Sequence, residues 1–228
     1  MQALLYTLVP VLAVVLGAIV ASRTKLKSGL VAGLQHLAAG VVFAAAATEI
    51  LPLVKHEASP SATLIGGAAG VATMLGLKTF EARFKGSMAL LAAIGIDILV
   101  DGLVLGLAFI AGEKAGFLLT IALTLEVLFL GLTLANELAE TYRSRLRIIV
   151  IVSALALLLP IGALAAVPVA TLSPLMVAGF LSFGLMALLY LVTEELLAEA
   201  HEKPDTPLIS SMFFVGFLAL LTLEEIMG

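Results

Sequence analysis

The sequence predicts an all-α polytopic membrane protein with about eight transmembrane helices. Hydrophobic residues fill 62% of the 228 positions and charged residues only 12%, with a mean hydropathy of +1.20. A soluble domain carries about 25% charged residues. Apolar runs of about 20 residues, the length that crosses a bilayer, recur along the whole chain. No stretch between them is long or polar enough for a soluble domain. We therefore predict a single transmembrane domain over residues 1–228.

The ends of each span are placed by charged residues, glycine or proline in the short connections between the apolar runs. The sixth run is the least regular, because Pro160 and Pro168 interrupt it. Gly66 and Gly70, and likewise Gly102 and Gly106, are four residues apart in apolar context, which lets helices approach closely. The predicted spans cover residues 3–22, 29–53, 61–80, 88–112, 115–139, 147–167, 174–198 and 207–227.

Lysine and arginine predict the orientation, because they concentrate in cytoplasmic loops. Two of the twelve, Lys55 and Lys114, fall on one side of the predicted topology. The other ten fall in the odd-numbered connections: Arg23, Lys25, Lys27, Lys78, Arg83, Lys85, Arg143, Arg145, Arg147 and Lys203. This split indicates an even number of spans with both termini outside. We expect an integral protein of a prokaryotic inner (plasma) membrane.

Three acidic residues fall near the middle of the predicted spans. Asp97 and Asp101 lie about halfway along the fourth span, four residues apart and so on one helix face. Glu126 lies at a matching depth in the fifth span, which a tight turn connects to the fourth. A carboxylate at this depth costs about 2.5 kcal/mol or more and persists where it is paired, protonated or bound to an ion. Because the basic residues lie at the span ends, we predict that the three carboxyl groups converge and hold either protons or a cation.

Oxygen ligands alone suit hard divalent cations such as Mn²⁺, Mg²⁺ or Ca²⁺, and Fe²⁺ less ideally. The chain has no cysteine, which excludes disulfides and thiolate metal sites. A packing network of protonated, hydrogen-bonded acids is the alternative that the residues leave open.

Further acids mark both ends of the predicted bundle, as a cation pathway requires. Glu49 lies near the outer end of the second span, and Glu194 and Glu195 near the inner end of the seventh. His36, in the inner half of the second span, is a further pathway candidate or a satisfied polar residue of the bundle. Glu49 can equally be an interfacial acid, and the pair in the seventh span can equally be a helix-end pair that faces the cytoplasm. Seven acids are predicted instead to be solvated, headgroup-facing or interfacial residues: Glu137, Glu140, Glu199, Glu202, Asp205, Glu224 and Glu225.

A short internal repeat links the two spans that carry these end acids. Residues 48–51 (TEIL) in the second span match residues 193–196 (TEEL) in the seventh, and the two spans cross in opposite directions. Inverted repeats are common in secondary transporters. Four residues are also compatible with chance.

At these same residues the chain resembles the ZIP family of divalent-metal transporters. Residues 36–40 (HLAAG) and 49–52 (EILP) resemble the family's second span, and residues 193–201 (TEELLAEAH) resemble its seventh. Residues 97–102 (DILVDG) and 126–131 (EVLFLG) occupy the metal-binding motifs of the fourth and fifth spans. The resemblance implies an eight-span ZIP-like bundle with both termini outside, transport of a divalent ion (Zn, Mn, Fe or Cd), and a homodimer.

The departures from the family pattern change the implied metal site. The family holds two adjacent metals with His, Asn, Asp and Glu, whereas here Asp97 replaces the fourth-span His and Ile98 the Asn. Hydrophobic residues replace further polar positions: Val127, Leu130 and, before Pro160, Leu159. The resemblance therefore implies one site of Asp97, Asp101 and Glu126, and makes zinc, which favours nitrogen and sulfur donors, a poorer substrate.

Three functions follow from this pattern. The first is a divalent metal cation transporter of ZIP type with a single carboxylate-rich site at mid-membrane, and therefore not an enzyme. The second keeps the fold but binds metal without transport, or carries another solute linked to protons. The third is an intramembrane aspartyl protease, which is disfavoured because catalytic dyads use two helices and Asp97 and Asp101 share one. No nucleophile triad, phosphate loop or nucleic-acid patch is visible.

Overall fold

The structure, a computed structural model, describes residues 2–24, 27–83, 87–202 and 206–227 as helices joined by short turns. Three of the predicted basic loop residues, Lys25, Lys85 and Lys203, and the acid Asp205 lie outside these ranges. Within them, eight helices are long and apolar enough to cross a membrane, as the sequence predicts for an integral membrane protein. The observed ends lie within about four residues of the predicted ones.

Three of these eight helices are continuous and five contain a break or a change of helix type. The continuous ones are α3 (Pro60–Arg83), α4 (Ser87–Ala111) and α5 (Glu113–Thr141). The others are α1 (Gln2–Tyr6 and Leu8–Arg23), α2 (Ser28–Ala45, Ala46–Ile50 and Leu51–Glu57), α6 (Arg145–Ala156, Leu158–Ala165 and Val167–Thr171), α7 (Pro174–Leu191, Val192–Leu196 and Leu197–His201) and α8 (Pro207–Ser210 and Met212–Met227).

Prolines account for the interruptions of α6 that the sequence predicts. Pro160 has no N–H to donate to the carbonyl of Ala156, and its ring crowds that carbonyl. The first segment of α6 accordingly ends at Ala156, and a new segment starts at Leu158. Pro168 opens the final 3₁₀ turn of this helix.

The helices form two groups of four, and glycines set the closest crossings in both. One group holds α1, α4, α5 and α6, and the other holds α2, α3, α7 and α8. A Cβ atom on Gly17 of α1 would overlap the carbonyl oxygen of Leu128 in α5, and one on Gly131 of α5 would overlap that of Val14 in α1. The backbones therefore touch at a point that only glycine permits on each side.

The same crossing recurs at three more places in the bundle. Gly102 of α4 and Gly162 of α6 each face the other helix's backbone, as do Gly40 of α2 and Gly216 of α8. Gly66 of α3 faces the carbonyl oxygen of Gly179 in α7. The close approach that the sequence predicts at Gly66 and Gly102 is thus confirmed. The crossings thus join α1 with α5, α4 with α6, α2 with α8, and α3 with α7. This set is unchanged when α1 is exchanged with α6, α2 with α7, α3 with α8 and α4 with α5.

The four-residue repeat of α2 and α7 overlaps a π-helical turn in both helices. In α2 the turn spans Ala46–Ile50, and the N–H of Leu51 bonds to the carbonyl of Ala46, five residues back. In α7 it spans Val192–Leu196, and Leu197 bonds to Val192 in the same way. In α2 the turn precedes Pro52, whose missing N–H leaves no α-helical partner for the carbonyl of Thr48. Such π turns occur often at functional sites.

Candidate metal centre

The three mid-membrane acids meet at the interface of α4 and α5. Asp97 and Asp101 lie one helical turn apart on α4, and Glu126 faces them from α5. One carboxylate oxygen from each lies within 4.8 Å of the other two. The residues are only 8%, 2% and 3% exposed, respectively. The structure thus brings together the three residues that spacing and depth predict to converge. We refer to them as the carboxylate triad.

Apolar residues follow two members of the triad in the chain, and oxygens of Asp101 and Glu126 lack a hydrogen-bond partner among the described residues. Buried Ile98 and Val127 follow Asp97 and Glu126 directly in the chain. The Asp101 and Glu126 carboxyl groups lie close enough to interact electrostatically. Asp101 Oδ2 and Glu126 Oε2 have no hydrogen-bond partner in the described part of the chain. Like charges this close cannot all stay ionised in a low-dielectric interior, so protons or a cation must neutralise them.

Two cavities connect the triad to the end of the bundle where the odd-numbered connections lie, which we call the basic end. The larger, about 90 Å³, is bordered there by Lys78 and Glu137 and reaches Asp97. The smaller, about 30 Å³, reaches Asp97, Glu126 and Gln35. Glu195 and Glu199 of α7 line both cavities. Four acidic side chains therefore face the path from the basic end to the triad: Asp97, Glu137, Glu195 and Glu199.

The two acids of the α7 π turn have different surroundings. Glu195 is partly buried, lines both cavities and acts electrostatically on Asp101 and Glu126. Glu194 is exposed and lines neither of them; its backbone carbonyl accepts a 3.5 Å hydrogen bond from Lys78 Nζ. Of the two pathway candidates in this span, only Glu195 faces the route to the triad.

The opposite end, which we call the Lys114 end, carries Glu49 and a strong ion pair. Lys114 Nζ at the start of α5 contacts Glu224 Oε1 near the end of α8 at 2.6 Å. Glu49 is 9% exposed, lies within electrostatic range of both residues, and its Oε1 has no hydrogen-bond partner among the residues described. Neither of the two cavities at the triad extends to Glu49.

His36 does not face the triad. Its ring is buried between α2 and the end of α7, packs against the ring of His201, and lines neither cavity at the triad. Its neighbour Gln35 is the α2 residue that borders the smaller cavity, and Gln35 Nε2 donates a 2.7 Å hydrogen bond to Glu199 Oε2.

Several residues at this site have surroundings that the sequence does not predict. Glu199 and Glu137, predicted as solvated or headgroup-facing, are exposed as expected but also border the cavities. Glu224, predicted as an interfacial acid, is paired with Lys114. Thr133, which no motif of the sequence singles out, lines both cavities. Thr133 lies seven residues after Glu126, which places it on the same face of α5, two turns nearer the basic end. This spacing is the one feature of the sequence that indicates a position facing the cavities.

A comparison with protein-family models finds no match, and neither does a comparison with curated proteins. The resemblance to the ZIP family therefore rests on the motifs of α2, α4, α5 and α7.

Proposed function

We propose that this protein is a divalent metal cation transporter of ZIP type, with a single binding site at Asp97, Asp101 and Glu126. The observation that carries the proposal is the carboxylate triad itself, three buried acids with ligand atoms within 4.8 Å of one another. Burying one such carboxylate costs several kcal/mol, and a divalent cation is the neutralising group that uses all three together. Intramembrane acids that face a cavity are typical of ion pathways.

The donor set indicates the ion. All three ligands offer oxygen, and neither sulfur nor imidazole faces the triad in the described part of the chain. We therefore expect Mn²⁺ to be the best-matched substrate, followed by Fe²⁺, because Zn²⁺ and Cd²⁺ favour nitrogen and sulfur ligands that this site does not offer.

The route through the bundle uses the end acids. Glu49 receives the ion at the Lys114 end, the triad holds it at mid-depth, and Glu195 passes it to the basic end. In this proposal the bundle is ZIP-like, both termini lie outside, and the basic end faces the cytoplasm of a prokaryotic cell. The excess of Lys and Arg in the odd-numbered connections supports this orientation.

Flux of Mn²⁺ into proteoliposomes tests the proposal. We expect Asp101→Asn and Glu126→Gln each to lower the flux by about 100-fold or more, because even outer-shell partners of a metal contribute 10- to 100-fold to binding or activity. Glu225→Gln is the matched control, since it removes an exposed acid at the far end of α8. Unchanged flux of Mn²⁺, Fe²⁺, Zn²⁺ and Cd²⁺ in both triad variants would contradict the site assignment.

A second candidate function keeps the triad but drops metal transport. Val127 and Leu159 are fully buried where the resemblance leads one to expect polar ligands, which favours a protein that binds metal without moving it or moves protons with another solute. Binding of Mn²⁺ measured by calorimetry, combined with an absence of flux in the same preparation, would favour this function over transport.

A further inference from the structure

Four arginines gather at the basic end, on the side of the bundle that α1, α5 and α6 form. Three of them lie in the connection from α5 to α6 and in the first turn of α6, and all three are exposed: Arg143, Arg145 and Arg147. The fourth, Arg23, is the last residue of α1, which packs against the first segment of α6. We call these four residues the arginine cluster.

The arginine cluster has no carboxylate partner inside the protein. None of its four members forms an ion pair in the described part of the chain. Glu140 is the one acid that lies within four positions of any of them in the sequence. Lys114 at the opposite end, by contrast, is paired with Glu224. Because the chain as a whole carries a net charge of −4, the positive charge of the cluster is local, and an external anion fits it as the counter-charge.

Two members of the cluster continue apolar stripes that face outward from the bundle. On α6, Val150 lies three residues after Arg147, on the same helix face, and is 58% exposed. On α1, Leu16 and Val20 lie seven and three residues before Arg23 on one face, and are 56% and 41% exposed. An integral membrane protein presents such stripes to lipid acyl chains. Each arginine therefore lies where a lipid-facing stripe reaches the end of its span, which is the depth of the headgroups.

The surroundings of Arg147 suit a phosphate group at this depth. Its guanidinium carbon lies 5.7 Å from the centre of the Tyr142 ring, a distance typical of a cation–π contact. Tyrosine itself favours the boundary between membrane and water. A guanidinium donates in its own plane, so a contact with an aromatic ring does not use its N–H groups, which match a phosphate in pairs.

A second copy of the chain fits this surface less well than lipid does. Dimers related by a two-fold axis use the same patch on both subunits. Such an interface would place two arginine clusters of the same sign near each other, and like charges repel. Lipid phosphates instead neutralise the cluster through charge-assisted hydrogen bonds.

We propose that the arginine cluster binds the phosphate headgroup of an anionic phospholipid, whose acyl chains lie along the outward faces of α1 and α6. Such a lipid supplies phosphate at the depth of the arginines and hydrocarbon at the depth of the stripes, so one molecule satisfies both features. Bound there, it joins the basic end of α1 to that of α6. The proposal does not depend on transport, on metal binding at the triad, or on which side of the membrane the basic end faces.

Quenching of a single engineered tryptophan by brominated lipids tests this site. The chain contains no tryptophan, so Val150→Trp reports only the lipids that contact the outward face of α6 beside Arg147. The full-length chain is reconstituted in phosphatidylcholine vesicles that contain either brominated phosphatidylglycerol or brominated phosphatidylcholine. We expect phosphatidylglycerol to be preferred about tenfold or more at this position. Adding Arg147→Gln or Arg23→Gln should lower the preference about fivefold, the effect of one basic residue near an anionic lipid.

Two controls separate the arginine cluster from a general attraction to anionic lipid. Arg83→Gln removes an exposed arginine of α3 at the same end of the bundle and should leave the preference at Val150→Trp unchanged. Phe214→Trp, at a 65% exposed position of α8, reports a lipid contact away from the cluster and should show a preference of less than about twofold. The soluble headgroup glycerophosphoglycerol, in large excess, should not displace the brominated lipid.

Three results would overturn the proposal. Equal quenching by the two lipids at Val150→Trp would mean that the cluster does not select anionic lipid. Displacement by glycerophosphoglycerol would reassign the cluster to a soluble phosphate compound. Quenching by neither lipid at Val150→Trp, while Phe214→Trp is quenched by both, would mean that a second copy covers this face. Because Mn²⁺ flux is measured separately, failure here leaves the proposed function standing, and failure of transport leaves this site standing.

Discussion

The π turns of α2 and α7 share a Thr-Glu pair and a backbone geometry but differ in their surroundings. Each turn has one glutamate that is at least partly buried: Glu49 in α2 and Glu195 in α7. Glu195 on α7 borders open cavities that reach the carboxylate triad from the basic end. Glu49 on α2 is buried beside the Lys114–Glu224 ion pair. The triad is thus open to a route from the basic end, whereas neither of these cavities reaches Glu49 at the Lys114 end. Under the proposed transport function, alternating access leads us to expect such an asymmetry in any single state.

The largest expected effect is a difference between the two ends of the bundle in how fast an engineered cysteine reacts with a water-soluble thiol reagent. The chain has no cysteine, so single engineered cysteines report reaction with a thiol reagent cleanly. We expect Thr133→Cys, in the cavities, to react with a membrane-impermeant methanethiosulfonate about tenfold or more faster than Glu49→Cys, because a buried residue reacts only after local opening. The rates are measured in vesicles of both orientations.

Ser182→Cys, at a fully buried position of α7, sets the baseline rate of an inaccessible thiol. Equal rates at positions 133 and 49 would mean that the two ends are equally open, and the comparison would then fail.

A second expected effect is a difference between Glu195 and Glu49 in how strongly each charge contributes to Mn²⁺ binding at the triad. Glu195 acts on both Asp101 and Glu126, whereas Glu49 acts within the Lys114 end. Glu195→Gln should therefore weaken equilibrium Mn²⁺ binding by about 10- to 100-fold, because a unit charge a few ångströms beyond direct contact contributes about 1.4–2.8 kcal/mol. Glu49→Gln should leave equilibrium binding unchanged. Calorimetric titration with Mn²⁺ measures both.

Glu194→Gln is the internal control for this experiment, since it removes a carboxylate one residue away that lies outside the cavities. A loss of affinity as large in Glu194→Gln as in Glu195→Gln would show that the π turn does not select between the two acids.

The sequence does not predict which of Glu194 and Glu195 faces the triad. The eight spans follow from composition, and the meeting of Asp97, Asp101 and Glu126 follows from a spacing of four and a shared depth. An α-helical wheel, however, assumes about 100° of rotation per residue, and a π turn adds one residue to the turn. Every side chain beyond the turn is displaced around the helix by that extra residue. Whether Glu194 or Glu195 faces the triad therefore depends on a backbone bond, from Leu197 to Val192, that no side-chain pattern encodes.

The ion pair of the Lys114 end shows a different limit. Lys114 and Glu224 are 110 residues apart in the chain. They meet because α5 begins, and α8 finishes, at the same end of the bundle. The sequence predicts that Lys114 lies between two spans and that Glu224 lies near the outer end of the eighth, but their pairing depends on which helices are neighbours. The glycines that set the crossings of α5 with α1 and of α8 with α2 are visible in the sequence, whereas the helices that they contact are not.

A smaller expected effect concerns this ion pair as a closure of the Lys114 end. Lys114→Gln removes the cation that Glu224 contacts and that lies in electrostatic range of Glu49. We expect the reaction of Glu49→Cys with the thiol reagent to become about five- to tenfold faster in this background, since losing one partly exposed ion pair contributes about 1 kcal/mol to opening. Labelling of Thr133→Cys in the same background should not change. A rate at position 49 that is insensitive to Lys114→Gln would contradict a closing role for the pair.

The smallest expected effect concerns Lys78, the basic residue at the mouth of the larger cavity. Its exposed 3.5 Å hydrogen bond to the Glu194 carbonyl is weak, so Lys78→Gln should lower the free energy of unfolding by less than about 0.5 kcal/mol. Because the ammonium group stands beside Glu137 and Glu195 at the entrance, its removal should raise the association rate of Mn²⁺ from the basic end about twofold. Stopped-flow measurements at low and high salt distinguish this from a structural effect, because only an electrostatic gain disappears on screening. Arg83→Gln, an exposed change at the end of α3, should give no gain at either salt concentration. A twofold gain that persisted in high salt would mean that Lys78 obstructs the cavity by its size rather than by its charge.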